Sequence, residues 1–384
     1  MRVTWLTTTI PGTILGCNCS DRKEQREADG MYVQASLLDH RRYRHYKFSR
    51  EIETQMKALS ATDNWHSPLA LLIDYGMIVA AALACVYVSW WLYPLAIVLI
   101  GARQRGVSSI LHESSHGVSA KSAVLRGVLG TVLTAYPIFQ TFYAYKISHV
   151  LTHHPQLGRR DLDADLQFFI DEDVFKPVPP RRYFWRMMVL PQLGLRTFAY
   201  FKYLVKNRLS ADDGNDSLSI PADMTRRRRL EYVALLAFWL TVAATFHYFD
   251  ALLYLLLFWI VPYLTYFQII GWYIELTEHC TVIGGQETDL FMTSNRHSRG
   301  LERFLTGIHN DHHHLDHHLN PSIPFWNLPM AREIQLQDPE YARIDRNTGG
   351  LFTRGLSGAP SALRCLLDLN RKRYEALQGA GALS

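Results

Sequence analysis

The chain has 384 residues, 40 Lys and Arg against 35 Asp and Glu, a formal net charge of +5, 48% apolar residues and 20% charged ones. Those values sit near the globular average and exclude collagen-like, disordered and disulfide-scaffold classes. Its 17 histidines, most of them in tight groups beyond residue 111, are the departure from average and point to metal.

Residues 1–30 carry Ile14-Leu15-Gly16-Cys17, superficially a lipoprotein cleavage site, but the Thr-rich stretch before it is a poor apolar region. They read as a disordered or misassigned N-terminus, with Met31 a plausible start, followed by a cytosolic N-terminal segment, 31–64. Five scattered cysteines (Cys17, Cys19, Cys85, Cys280, Cys365) imply a reducing environment.

Two long apolar blocks follow, each patterned as a helical hairpin. The first runs from Leu69 to Val88, turns at Trp90, Trp91, Tyr93 and Pro94, and continues to about Ser109. A span needs about 20 residues, so its second helix must run on through Arg103 and Arg105 or leave the bilayer there. Lipid phosphates are the simplest partners for those two arginines; the other reading, with Gln104, is an anchor for a carboxylate or phosphopantetheine group on a substrate. Residues 124–142 are apolar but broken by Gly127, Gly130 and Pro137, a pattern for a membrane-dipping or peripheral helix pair. Ser210–Ser219 reads as a solvated loop. The second block runs from Leu230 to Phe249, turns at Asp250 and returns through Tyr273. Tyr263, Tyr266, Phe267, Trp272 and Tyr273 on the returning helix are read as ordinary packing. Beyond Asp345, in 346–384, a linker leads to a helix over about Ser361–Leu377.

Arginines and lysines flank both blocks and are absent from both hairpin turns. The positive-inside rule therefore places both termini and the central loop in the cytoplasm, with Arg226–Arg229 an orientation signal. The expected fold is an all-α integral membrane protein. Four transmembrane helices form two hairpins, capped by a cytosolic helical domain that holds the histidines, within residues 65–345.

Three histidine clusters carry the chemistry. His112-Glu113-Ser114-Ser115-His116 places two rings at i and i+4, one helix face apart by a turn, but alone it equally describes a zinc hydrolase. His149, His153 and His154 repeat that spacing with a third adjacent ring. The stretch from His309 to His318 contains HxxHH twice, as His309/His312/His313 and as His314/His317/His318, and spacing does not choose between them. Two, three and three imidazoles exceed what one zinc ion takes and suit two metal ions, iron among them.

HESSH, HVLTHH and HLDHH resemble the histidine boxes of the membrane fatty acid desaturase/hydroxylase superfamily, in its bacterial desaturase-like branch, and HHLNPSIPFWNLP after them is similar to that family's HHLxPxxPxxNLP tail. The resemblance covers about Trp65–Ala342. It selects the His314/His317/His318 frame and implies a cytosolic di-iron centre, dioxygen as oxidant and an external electron donor. In that family a further isolated histidine lies between the fourth span and the third box, which implies a ligand role for His279. The implied ligand set is His112, His116, His149, His153, His154, His279, His314, His317 and His318, with no catalytic side chain beyond the metal centre. His309, His312 and His313 depart from the family pattern; only His312 is expected behind the ligands. Asp161-Leu162-Asp163-Ala164-Asp165-Leu166 resembles a family DPDL segment, and its carboxylates either orient imidazoles or form a solvated acidic turn.

The implied reaction is desaturation of an acyl chain or related aliphatic substrate, which includes an acyl-lipid, an acyl-carrier or a small amino-acid-derived molecule of secondary metabolism. Hydroxylation of a lipid or secondary-metabolite intermediate is the alternative, and an intramembrane zinc protease built on His112, Glu113 and His116 is the remote one. The chain has neither a His-Pro-Gly-Gly cytochrome b5 signature nor a Gly-rich dinucleotide loop, so no bound nucleotide is expected. Electrons then come from a separate ferredoxin-type or cytochrome partner, with Arg159 and Arg160 candidates for steering it. Membrane lipids are expected partners and nucleic acid is not; the bacterial inner membrane is the expected location.

Overall fold

A computed structural model describes residues 44–159, 162–195, 197–205, 220–281 and 288–379. Among these residues the fold is helical, and the one β-contact is an isolated bridge between Arg44 and Thr288. The predicted N-terminus, the Ser210–Ser219 loop, Arg160 and Asp161 lie outside the described residues.

Four long helices organise the molecule: α1 (His66–Tyr87), α2 (Tyr93–His116), α3 (Ala222–Tyr248) and α4 (Leu252–Cys280). Among the described residues α1, α3 and α4 are long and apolar enough to cross a membrane. Large apolar side chains such as Leu72, Val233, Leu236 and Leu240 lie on their outer surfaces, more than half exposed, the inverse of a water-soluble helix and the mark of a lipid-facing one. Between α1 and α2, Ser89 Oγ accepts the Trp91 N–H (3.3 Å) in a single 3₁₀ turn, Trp90–Leu92, and Pro94 sits in the first turn of α2, where its missing N–H costs nothing. Between α3 and α4, Asp250 takes a left-handed φ of 51°.

The 24 residues of α2 make a rod of about 36 Å, continuous through Arg103 and Arg105 to its end at His116. The expectation that these arginines meet lipid phosphates is overturned. Arg103 is buried beside Asp74 of α1 (3.4 Å) and donates to the Phe304 carbonyl, while Arg105 pairs with Glu275 of α4 (3.1 Å). Gln104 donates to the Trp259 carbonyl (2.9 Å). Buried charged groups require partners, and α1 and α4 supply them. Gly106 is what lets Asp74 in: a Cβ there would collide with the carboxylate.

Residues 124–142 also differ from expectation. They form one helix, Ala123–Gly130, and a 3₁₀ turn, Tyr136–Ile138, rather than a helix pair, because Gly130 must lie flat against Ser114 and the Phe142 ring, and Pro137 lacks the N–H a second helix needs. The C-terminal helix, Ala362–Gly379, buries Leu363, Leu366 and Leu369, and shares a core with Leu276 and Cys280 of α4. It packs the fold, as its apolar face predicts.

His309 Nε2 also meets Asp74 (2.7 Å), so this carboxylate ties α1 to α2 and to the loop before the third box. Asp74→Asn leaves Arg103 buried without a counter-charge, which typically costs about 3–5 kcal/mol. A clear fall in the unfolding temperature in detergent is expected, against little change for the exposed Glu53→Gln.

Candidate metal centre

Each box is held by a different local device. The first closes α2: Gly117, at φ 85°, ends the helix directly after His116, and Val118 N–H returns to the Glu113 carbonyl (3.0 Å). The second does not follow the expected α-spacing. Residues Ile147–His153 form a π-helical stretch, whose wider turn brings His154, five residues on, to His149 (Nε2–Nε2 3.2 Å). His153 points instead toward His279 and His318. The third box is the short helix His314–Leu319, clamped from behind. Asn295 accepts the Leu315 N–H (2.9 Å) and donates to Asp316 (3.0 Å), and the Tyr341 hydroxyl donates to Asp316 as well.

These devices bring all nine predicted residues together in two adjoining nests. His112, His116, His149, His154 and His317 present ring nitrogens within 4.8 Å of one another, and so do His153, His279 and His318. His314 joins the second nest through His279 (2.9 Å) and His318 (3.0 Å). The nests touch where the His154 and His318 rings stack, centroids 4.2 Å apart. The His309/His312/His313 frame stays outside. His309 binds Asp74, His313 binds Asp316 (2.8 Å), and His312 is buried against the His313 ring. His312 therefore reaches no ligand directly.

Burial, reinforced by neighbouring imidazoles, holds His149, His154, His314, His317 and His318 well below the ordinary imidazole range. In those five the shift favours the neutral ring, the state in which a histidine can give a lone pair to metal. The buried Nε2 atoms of His112 and His116 have no hydrogen-bond partner among the described residues, an expense a protein rarely tolerates without another use for the atom. Crowded nitrogen donors without hydrogen-bond partners suit divalent iron, copper or zinc better than magnesium or calcium.

Carboxylates stand behind the rings. Asp163 accepts from His153 Nδ1 (2.9 Å) while capping the helix Ala164–Asp171, so the acidic segment orients a ring rather than forming a solvated turn. Glu278 lies 3.4 Å from His314 Nδ1, and its other oxygen is held by the fully buried Arg296 (2.9 Å). Sequence reasoning missed Asp74, Glu278 and Arg296 as partners; an acid inside an apolar span was the available signal for Asp74. Glu113, the base of the protease reading, is buried and accepts the Phe325 backbone N–H (2.8 Å). That bond ties the first box to the loop after the third.

A cavity runs along the inner face of this cluster, lined by His112, His149, His279, His314 and His317 on one side. Phe267 and Trp272, read from sequence as ordinary packing, line it as well; Tyr263 and Tyr273 are core residues, donating to the Ile138 and Met188 carbonyls.

A family model described as fatty acid desaturase matches residues 89–347. The chain is 43% identical over 351 residues to dihydrorhizobitoxine desaturase of Bradyrhizobium elkanii, an alignment that covers 91% of this chain and 96% of that protein. It is 26% identical over 280 residues to the sn-1 acyl-lipid omega-3 desaturase (ferredoxin) of Synechocystis sp., over 68% of this chain and 72% of the relative.

Asp163→Asn keeps the shape of the side chain but weakens its hold on His153. Second-layer changes of this kind typically lower metal affinity about 10- to 100-fold. Titration with a metal-competing chelator should show that loss for Asp163→Asn and little change for His309→Gln, whose ring lies outside both nests.

Proposed function

The chain belongs to the fatty acid desaturase family, and from that premise we propose how this desaturase-type oxidoreductase oxidises its aliphatic substrate. His112, His116, His149, His154 and His317 hold one iron ion, and His153, His279, His314 and His318 hold a second. The observation that carries this reading is the convergence of nine imidazoles from four separate stretches of chain on two touching nests. When bound, the iron pair supplies the oxidising power: dioxygen, two electrons and two protons remove two hydrogens from adjacent carbons and leave an alkene and two waters.

The chain's own residues do the positioning. Asp163 and Glu278 fix His153 and His314 through their Nδ1 atoms, so neither ring can turn as the substrate moves past. The Glu113–Phe325 bond closes the cluster on the side of the first box. Apolar and aromatic walls, Phe267 and Trp272 among them, keep bulk water from the reacting carbon.

We read α2 as a fourth span. Its two arginines are neutralised by Asp74 and Glu275, which lowers the cost of placing them at membrane depth. With α1, α3 and α4 it makes two hairpins whose tight turns carry no Lys or Arg. On that basis the termini and the histidine centre face the cytoplasm of the bacterial inner membrane. The electron donor is a separate protein of the ferredoxin or cytochrome type; the Synechocystis relative, by its name, uses ferredoxin. The relative from Bradyrhizobium carries a small molecule in its name rather than an acyl lipid, which favours a small aliphatic substrate here.

The purified protein should bind two irons per chain, measured by elemental analysis, and the pair should be lost in His317→Ala while the protein still expresses. Cells with the native chain and its donor should contain a compound two hydrogens lighter than one that accumulates with His317→Ala. One zinc per chain, or identical profiles, would overturn the proposal.

A further inference from the structure

The cavity wall beyond the imidazoles is charged, and the charges are arranged. Arg105 lies seven residues before His112 on α2, almost two full turns, and so shares its face with both His112 and His116. Glu275 lies four residues before His279 on α4 and shares its face in the same way. Each helix thus presents one charged group and then its imidazoles, with the charge set back by about 10 Å on α2 and about 6 Å on α4. Arg105 and Glu275 meet at 3.1 Å, and both line the cavity that holds His112 and His279.

Hydrogen-bonding capacity remains on that wall. The bond to Glu275 uses one Arg105 terminal nitrogen, Nη2, while its buried Nε has no partner among the described residues. The Oε1 atom of Gln140, a buried residue lining the same cavity, is likewise without one. Gly271 faces the guanidinium: a Cβ there would come into ordinary contact with Nη1, at 3.4 Å. Phe267 lies under the guanidinium, 5.7 Å from ring centroid to Cζ, and restricts its movement. A hydrocarbon chain drawn along this wall would leave the Arg105 Nε and the Gln140 Oε1 unmatched in a partly dry cleft, which is how a polar site rejects an apolar competitor.

We infer that Arg105, Glu275 and Gln140 form a recognition site for a compact zwitterionic head group, with a substrate carboxylate on Arg105 and a substrate ammonium on Glu275 and Gln140. The head group is then anchored one to two helical turns from the imidazoles, and a carbon a few bonds along the substrate lies beside them. The substrate class is a free, water-soluble amino acid with an aliphatic extension, not an acyl lipid. This inference rests on the proposed function, since it assumes that oxidation occurs at the histidine nests.

The test uses the full-length, iron-loaded protein with its electron donor. Aqueous and lipid extracts of cells carrying the native chain or His317→Ala are compared by mass spectrometry, and the compound that gains or loses two hydrogens is tagged separately for amine and for carboxylate. The expected compound is in the aqueous extract and takes both tags. With that compound purified, Arg105→Met should raise KM by about 10-fold or more with kcat changed far less, and Arg105→Lys should recover part of the loss. Unchanged iron content shows that the variants are folded, and the paired exchange Arg105→Glu with Glu275→Arg, which keeps the ion pair, should fail to restore KM. A two-hydrogen change confined to acyl lipids, or a KM indifferent to Arg105→Met, overturns the zwitterion site while leaving the desaturase reading intact. No change in either extract from an iron-loaded, reduced enzyme overturns both.

Discussion

Orientation of imidazoles is the constraint on which the rest of this molecule depends. An imidazole has a lone pair to give a metal but little of its own to hold it in place, and nine of them crowd one space. The fold answers with carboxylates behind the rings and with backbone geometry around them. Asp163 holds His153, and Glu278, itself gripped by Arg296, stands behind His314. Asp316 anchors the third-box helix through Asn295 and Tyr341. These acids are buried, so each must be matched by donors, and the matching spreads the organisation of the centre outward into the four long helices and the C-terminal segments.

A second consequence is that the long apolar helices and the histidine-bearing segments are not separable units. Asp74 belongs to a helix apolar enough to cross the bilayer, yet it binds Arg103 and the His309 that precedes the third box. Glu113, inside the first box, fixes the backbone of Phe325 beyond the third. Asn327 reaches back to the Leu59 carbonyl (2.8 Å). Through such contacts the position of the helices within the bilayer is mechanically linked to the geometry of the rings.

Much of this was legible in the sequence. The apolar blocks, their short turns and the three boxes could be read because each has a local signature of composition or spacing, whereas His279, a single histidine with no such signature, was reached only through the family resemblance. The His314/His317/His318 frame could not be chosen from spacing and was chosen by resemblance; the structure supplies the physical reason, since His309 and His313 are occupied by Asp74 and Asp316. The pairing of His149 with His154 was hidden because helical spacing presumes 3.6 residues per turn, and a π-helical stretch breaks that presumption without any marker in the residues themselves. The partners of Arg103 and Arg105 were hidden for a different reason. They come from helices distant in sequence, and a carboxylate such as Glu275 becomes meaningful only when α2 and α4 are side by side.

The uninterrupted course of α2 through Arg105 to the first box has an evolutionary implication. A single inserted or deleted residue between them would swing one group about 100° around the helix axis relative to the other, and so destroy their alignment instead of adjusting it. Descendants of this scaffold cannot lengthen or shorten that interval by small steps. Adaptation to larger or smaller molecules must come from exchanging side chains on the facing walls, which leaves the interval itself as a fixed ruler.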